Sequence, residues 1–240
     1  MTGCKREYMT ELPVRRVCII GGSGKLGQYL IEHSLAKGWQ VNTVCRERST
    51  GKLRRFADRI RIFAGNTNDC GVVKQAVQGC DAVFCVLVPW GVEGYATGTA
   101  QALLDHAPDH ARLIFSCGWH IRHSDKDYYS CWFKLQVSLF SVLARWLRFA
   151  DISDQERACE RIFASPRPWT VVRCSDLEEG ASQGLPVWRP DVGDPALAAN
   201  RTRRTDFALF MTEAVQERTL IHQAPAISRG VDAVSVLGSG

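Results

Sequence analysis

What this chain has little of narrows it first. It has no uninterrupted apolar run long enough to cross a bilayer. Its most apolar long stretch, 131–149, is broken by Lys134, Arg145 and Arg148, and such charges are costly in hydrocarbon. No membrane association is therefore expected. It also has no Lys/Arg-rich block of five or more, and its net charge is only +5, so nothing in the charge pattern asks for nucleic acid. Ten cysteines are present, but none forms a C-x-x-C pair, and several lie inside apolar runs. They read as reduced thiols packed as small hydrophobes, not as a disulfide framework or a zinc site, and no metal centre is expected. The first fifteen residues are polar and charged, so no secretory leader is expected, and the protein reads as cytoplasmic.

What is present suits one α/β domain. The chain has 240 residues, 45% of them apolar and 23% charged. Apolar runs alternate with segments of helical period, the pattern of a doubly wound parallel sheet wrapped by helices. Strands are predicted near 16–21, 41–45, 60–64, 82–88, 112–116, 169–173 and 219–222. Helices are predicted near 25–37, 70–78, 95–107, 131–148, 153–164 and 204–217. A single domain over 1–230 is expected, with a small C-terminal part covering a substrate and a loose tail at 231–240.

The most informative stretch is "IIGGSGKLGQYL", residues 20–31. Gly21, Gly24 and Gly27 follow an apolar strand and open a helix, the context in which G-x-x-G-x-x-G means a pyrophosphate site in a Rossmann fold. The helix N-terminus supplies free N–H groups and a positive dipole end. Gly21, Ser23, Gly24, Lys25, Leu26 and Gly27 are thus the expected dinucleotide cradle. The residue ending the second strand selects the cofactor: an acid there binds the ribose 2′-OH of NAD, a cation the 2′-phosphate of NADP. Here "VNTVCRERST" places Arg46 at that point, with Arg48 behind it. Arginine forks readily onto phosphate, so NADP(H) is the expected cofactor.

With these motifs the chain resembles the NmrA-like, atypical short-chain dehydrogenase/reductase family, over roughly residues 14–230. "IIGGSGKLG" and "CRERS" are similar to its glycine turn and its arginine after strand two. "FAGNTND" resembles its adenine-wall segment, with Asn66 where relatives often have Asp, and Thr67 beside it. "ACERIFASPRPWTVVRCSDLEEG" and "NRTRRTDFALFMTEAV" resemble its later, more specific segments. The resemblance implies NADP(H) binding by a reductase or by a non-catalytic redox sensor. It also implies a Lys or His on the helix before strand six, a place that falls near Glu156. The simpler account of Ser153 and Glu156 is an S-x-x-E capping box.

The standard catalytic pattern of short-chain dehydrogenases, Ser followed by Tyr-x-x-x-Lys, is incomplete. Ser116 ends the fifth strand and Tyr129 follows thirteen residues later, but position 133 is Phe and the lysine is Lys134. Five residues is about 500° of helix rotation, so Tyr129 and Lys134 diverge. Counting back from Lys134 instead gives Ser130. The loop "SCGWHIRHSDKDYYS" is the best place for chemistry, since open α/β sheets bind ligands at strand C-termini. Ser116, Tyr129 and His120 are the catalytic candidates, with His123 and Asp125 as further polar groups. Residues 87–90, including Val88 and Pro89, are expected beside the nicotinamide. The segment 131–149 is apolar on more than one face, as a core helix is; a homodimer through it is the other reading. Leu177, Leu185, Val187 and Trp188 follow strand six and predict a mostly apolar pocket.

These observations predict an NADPH-dependent reductase of a bulky apolar carbonyl or conjugated metabolite, of the kind met in secondary metabolism. A non-catalytic NADP(H) sensor, and an isomerase or cyclase with no net redox change, are the alternatives.

Overall fold

Side-chain alternation explains the layering. Along β1 (Arg16–Ile20), Cys18 and Ile20 enter one buried cluster, and Val17 and Ile19 enter another. In β4 (Ala82–Val86), Val83 and Cys85 join the first cluster while Ala82 and Phe84 join the second. Strands buried on both faces need apolar residues at every position, which is why these segments read as continuous runs. The structure, a computed structural model, describes residues 14–86, 94–128, 152–197 and 201–229.

The remaining main strands are β2 (Gln40–Cys45), β3 (Ile60–Ala64), β5 (Arg112–Gly118), β6 (Trp169–Cys174), β8 (Val187–Arg189) and β10 (Ala226–Ser228). They form one sheet of eight strands in the order β3-β2-β1-β4-β5-β6-β10-β8, parallel except where β8 meets β10. Helices α1 (Lys25–Ala36) and α5 (Arg204–Ala214), with a 3₁₀ helix at Glu47–Phe56, bury Leu30, Met211 and Leu53 on one face. Helices α2 (Cys70–Val77), α3 (Tyr95–His106) and α4 (Ile152–Phe163) bury Val73, Leu103 and Ile162 on the other. The chain order reverses between β1 and β4, and at such a point the C-terminal strand ends leave a crevice. A second, two-stranded sheet of β7 (Asp176–Glu178) and β9 (Arg201–Arg203) stands at the same end.

Seven of the described cysteines are buried free thiols, with Cys70 exposed. Burial pushes the Cys80 and Cys174 thiols up to about 12, so they stay protonated and pack as hydrophobes.

Three expectations need correction. The strand near 219–222 is a 3₁₀ turn at Arg218–Leu220; the chain reaches the sheet only at Gln223, by an isolated bridge to Thr170, and at β10. Ser153 lies inside the first turn of α4 and does not precede it, so it is not the cap of that helix. The capping carboxylate here is Asp154, and it serves another helix. Gly94 gives α3 no side-chain cap, and Asp154 instead accepts the Ala96 and Thr97 amides at 2.6 and 3.3 Å. Finally, β8 carries Val187 and Trp188 to the sheet edge beside β10, away from the crevice. The expected helix 131–148 and residues 87 and 88 lie outside the described residues.

Candidate functional site

The crevice holds a cavity of about 390 Å³, within the range of small-molecule sites. Gly24, Lys25 and Leu26 line it from the turn after β1, Val86 from β4, Ser116 to Gly118 from β5, and Cys174 and Ser175 from the end of β6. His120, Gln155, Leu177, Arg204 and Phe207 complete it. A larger cavity of about 640 Å³ lies at the opposite ends of the strands, around Arg16, Gln40 and Arg61, remote from the glycine turn.

The glycine turn is built for close approach. A Cβ on Gly27 would sit 2.4 Å from the Gly21 carbonyl oxygen and 2.6 Å from the Gly22 Cα, so any side chain there would break the turn. Gly24 is exposed, and the N-terminus of α1 behind it has neither a side-chain cap nor an acidic residue in its first turn. Its amides are free for an anion. Ser23 is partly buried and its carbonyl accepts from Gln28, while Leu26 is buried against the core. These features fit the pyrophosphate of a dinucleotide.

Arg46 stands directly after β2, exposed, and its side chain makes no hydrogen bond or ion pair among the described residues. Asn66 is exposed past the end of β3; Thr67 is buried, its hydroxyl paired with that of Thr99 at 2.9 Å. Val88, Pro89 and Tyr129 lie outside the described residues.

Of the polar candidates in β5 and the loop after it, Ser116 and His120 line the cavity. Ser116 is buried, set between Val86 of β4 and Val172 of β6. His120 packs so closely over Gly118 that a Cβ there would lie 2.7 Å from its Nδ1. Burial lowers the His120 pKa below the usual 6.5, and the Gln155 carboxamide opposes that shift by favouring the charged ring. Its Nε2 is enclosed with no hydrogen-bond partner among the described residues, an orphan that a ligand group or a water would satisfy. His123 does not reach the cavity: its ring packs edge-on against Phe163 at 4.8 Å and near Trp169 at 6.1 Å. Asp125 is on the surface, paired with Arg122.

The loop bearing His120 is fixed by a buried ion pair. Arg173 of β6 and Asp127 meet at 2.7 Å, and neither side chain has exposed surface. Asp127 also accepts the His123, Ser124 and Val192 amides, at 2.8, 3.0 and 2.7 Å. Arg173 donates further to the carbonyls of Ala224, Ile121 and Pro190. Burial alone would raise the Asp127 pKa, but the His123 amide, the Arg173 guanidinium and the other amides outweigh it and hold the carboxyl below its usual range.

Several lining residues went unnoticed in the sequence. Gln155, not Glu156, faces the cavity; Glu156 is exposed. Helical period would have shown this, since Gln155 precedes Ala158, Cys159 and Ile162 on the buried side of α4, whereas Glu156 shares the outer side with Glu160. Arg204 and Phe207 come from α5, inside the family-like segment 200–215, but nothing local in that segment marks either side chain as facing the cavity. Of the four apolar residues expected to form the pocket, Leu177 lines it, while Leu185 and Trp188 are exposed elsewhere.

The strand order and the glycine turn define a Rossmann-type nucleotide-binding domain. The family model described as NAD(P)H-binding matches residues 21–218, and the chain belongs to that family. Among curated proteins, it is similar to an anthocyanidin reductase of Arabidopsis thaliana, 31% identical over 89 residues, covering 35% of this chain and 26% of the relative. The matched stretch thus spans about a quarter of the length of that relative. Among solved structures, it resembles an anaerobillin reductase from Escherichia coli O157:H7, with a TM-score of 0.68 at 18% identity, covering 88% of this chain and 96% of the other. It also resembles a short-chain dehydrogenase/reductase from Veillonella parvula in complex with NADP, with a TM-score of 0.67 at 15% identity, covering 90% and 95% of the two chains. At these identities the structural likeness shows the fold alone.

Proposed function

We propose that the protein is an NADPH-dependent reductase acting on a bulky, largely apolar carbonyl or conjugated molecule. The observation that carries this reading is the continuity of one cavity from the glycine turn to Ser116 and His120. Gly24, Lys25 and Leu26 would hold the pyrophosphate, and Arg46 the 2′-phosphate. The bound cofactor would supply hydride. The chain's own part is then to orient the substrate oxygen and protonate it. Ser116 orients it by hydrogen bonding, and His120 gives the proton. Leu26, Val86, Leu177 and Phe207 offer apolar surface for the rest of the molecule. The name of an anthocyanidin reductase among the similar sequences favours a conjugated ring system.

The missing Tyr-x-x-x-Lys spacing favours a second reading, a sensor that binds NADP(H) without turnover. The test is NADPH oxidation in the presence of flavonoid-type and linear tetrapyrrole compounds, followed by absorbance. Substrate-dependent oxidation supports the reductase. NADPH binding that no compound converts to turnover supports the sensor, and product formed with no change in nicotinamide absorbance supports an isomerase or cyclase. Tyr129 is the other candidate donor; once a substrate is in hand, a donor role for His120 predicts that His120→Asn lowers turnover by about 10²–10⁴-fold with NADPH affinity unchanged, and by more than Tyr129→Phe does. The reverse pattern would move the proton donor to Tyr129.

A further inference from the structure

At the mouth of the cavity a carboxylate of the chain itself is held by cations from two helices. Glu179 follows β7, and its Oε1 receives Lys25 Nζ of α1 at 3.3 Å and Arg204 Nη1 of α5. Its Oε2 accepts from the Tyr29 hydroxyl at 3.3 Å. Lys25 and Arg204 both line the cavity, whereas Glu179 does not. The neighbouring backbone is tied down separately: Glu178 pairs with Arg203 at 3.1 Å, β7 pairs with β9, and Arg203 donates to the Glu179 carbonyl. The Glu179 side chain can therefore leave without unfolding its strap.

We infer that Lys25 and Arg204 form an oxyanion subsite at the cavity mouth, held by Glu179 until an anionic group of the ligand takes its place. Three features support this. Arg204 is the enclosed member, with 17% of its side chain exposed against 48% for Glu179 and 75% for Lys25, so Arg204 is the fixed cation and Glu179 the anion that can leave it. Lys25 is the first residue of α1, where the helix end already attracts negative charge. Among the described residues no acidic side chain lines the cavity, and its fixed charges there are the cations Lys25 and Arg204. The incoming group is an oxyanion, supplied either by the cofactor's phosphates or by a carboxylate on the substrate. The inference rests on the proposed reductase site and specifies what that site selects.

Glu179→Gln tests it, since it keeps the shape and removes the competing charge. The half-exposed contacts of Glu179 are modest, so NADPH should bind about three- to tenfold tighter to the variant at low ionic strength. The gain should shrink as salt is added. Adding Arg204→Gln should abolish it. If the substrate is the source of the oxyanion, NADPH affinity stays unchanged and the gain appears instead for cinnamate binding to the NADP⁺-loaded protein. No gain for either probe, with both proteins binding NADPH, overturns the subsite and leaves the reductase reading standing. If neither protein binds NADPH, the reductase reading fails and the subsite goes with it.

Discussion

Replacing Asp127 by Asn should expose how the His120 loop is held. The wild-type carboxylate accepts four hydrogen bonds, from Arg173 and the amides of His123, Ser124 and Val192. Asparagine has one oxygen to offer and presents N–H groups to former donors. It also leaves the Arg173 guanidinium charged at a position with no exposed surface. Removing one partner of such a pair costs about 3–5 kcal/mol. In a chain of this size each kcal/mol lowers the melting temperature by about 2–4 °C, so a fall of roughly 6–20 °C is expected by circular dichroism at neutral pH. The acid side provides a second check. The folded-state pKa of Asp127 is depressed, so its contribution is present above the ordinary carboxylate value of 3.8 and is lost as pH falls through the lower folded value. The gap between wild type and variant should therefore narrow below about pH 4. At temperatures where the variant is folded, NADPH should still bind while turnover falls, because the pair anchors the His120 loop and not the glycine turn. A melting temperature within about 2 °C of wild type would refute the reasoning.

Arg46→Ala should weaken NADPH binding by on the order of 1.5–3 kcal/mol and leave NADH nearly unaffected; equal weakening of both, by calorimetric titration, would remove Arg46 from the 2′-phosphate. His120 has a lowered pKa, so its imidazolium fraction grows only as pH falls below the usual 6.5. Turnover should rise as pH falls toward and below that value, and His120→Asn should lose this rise; a dependence unchanged in the variant places the proton elsewhere. Gly118→Ala puts a methyl 2.7 Å from His120 Nδ1 and must move the ring. Turnover should fall on the order of tenfold to a hundredfold with little change in melting temperature, and undiminished turnover would show that the ring's position does not matter.

The sheet was legible because its central strands β1, β4, β5 and β6 are buried on both faces and therefore read as apolar runs. β1 to β6 lie within about two residues of their expected places, apart from the end of β4, which lies beyond the described residues. The segment near 219–222 misled for the same reason: Leu220 is buried, but in a turn, and a short apolar run does not distinguish the two. The 3₁₀ helix at Glu47–Phe56 was hidden by its charge; only Ser49, Leu53 and Phe56 are buried there. The three-residue strands β7, β8 and β9 are too short to carry a period. Of the site, the glycine turn, Ser116 and His120 were readable from local motif and strand position. Gln155, Arg204 and Glu179 were not, because their roles arise only when α4, α5 and the strap meet at the crevice. Asp127 and Arg173 likewise meet across 46 residues of sequence.

The most direct test of the cofactor site is titration of NADPH and NADH into the wild-type protein and Gly24→Asp. A Cβ at Gly24 meets only the Gly21 carbonyl oxygen, at 3.3 Å, so the variant should fold with a melting temperature close to wild type. Its carboxylate, however, would stand where the α1 amides receive phosphate. Saturable binding of NADPH to wild type, tighter than that of NADH, and its loss in a folded Gly24→Asp, is the predicted result. Wild-type affinity for NADPH in that variant would contradict the placement of the cofactor on the glycine turn.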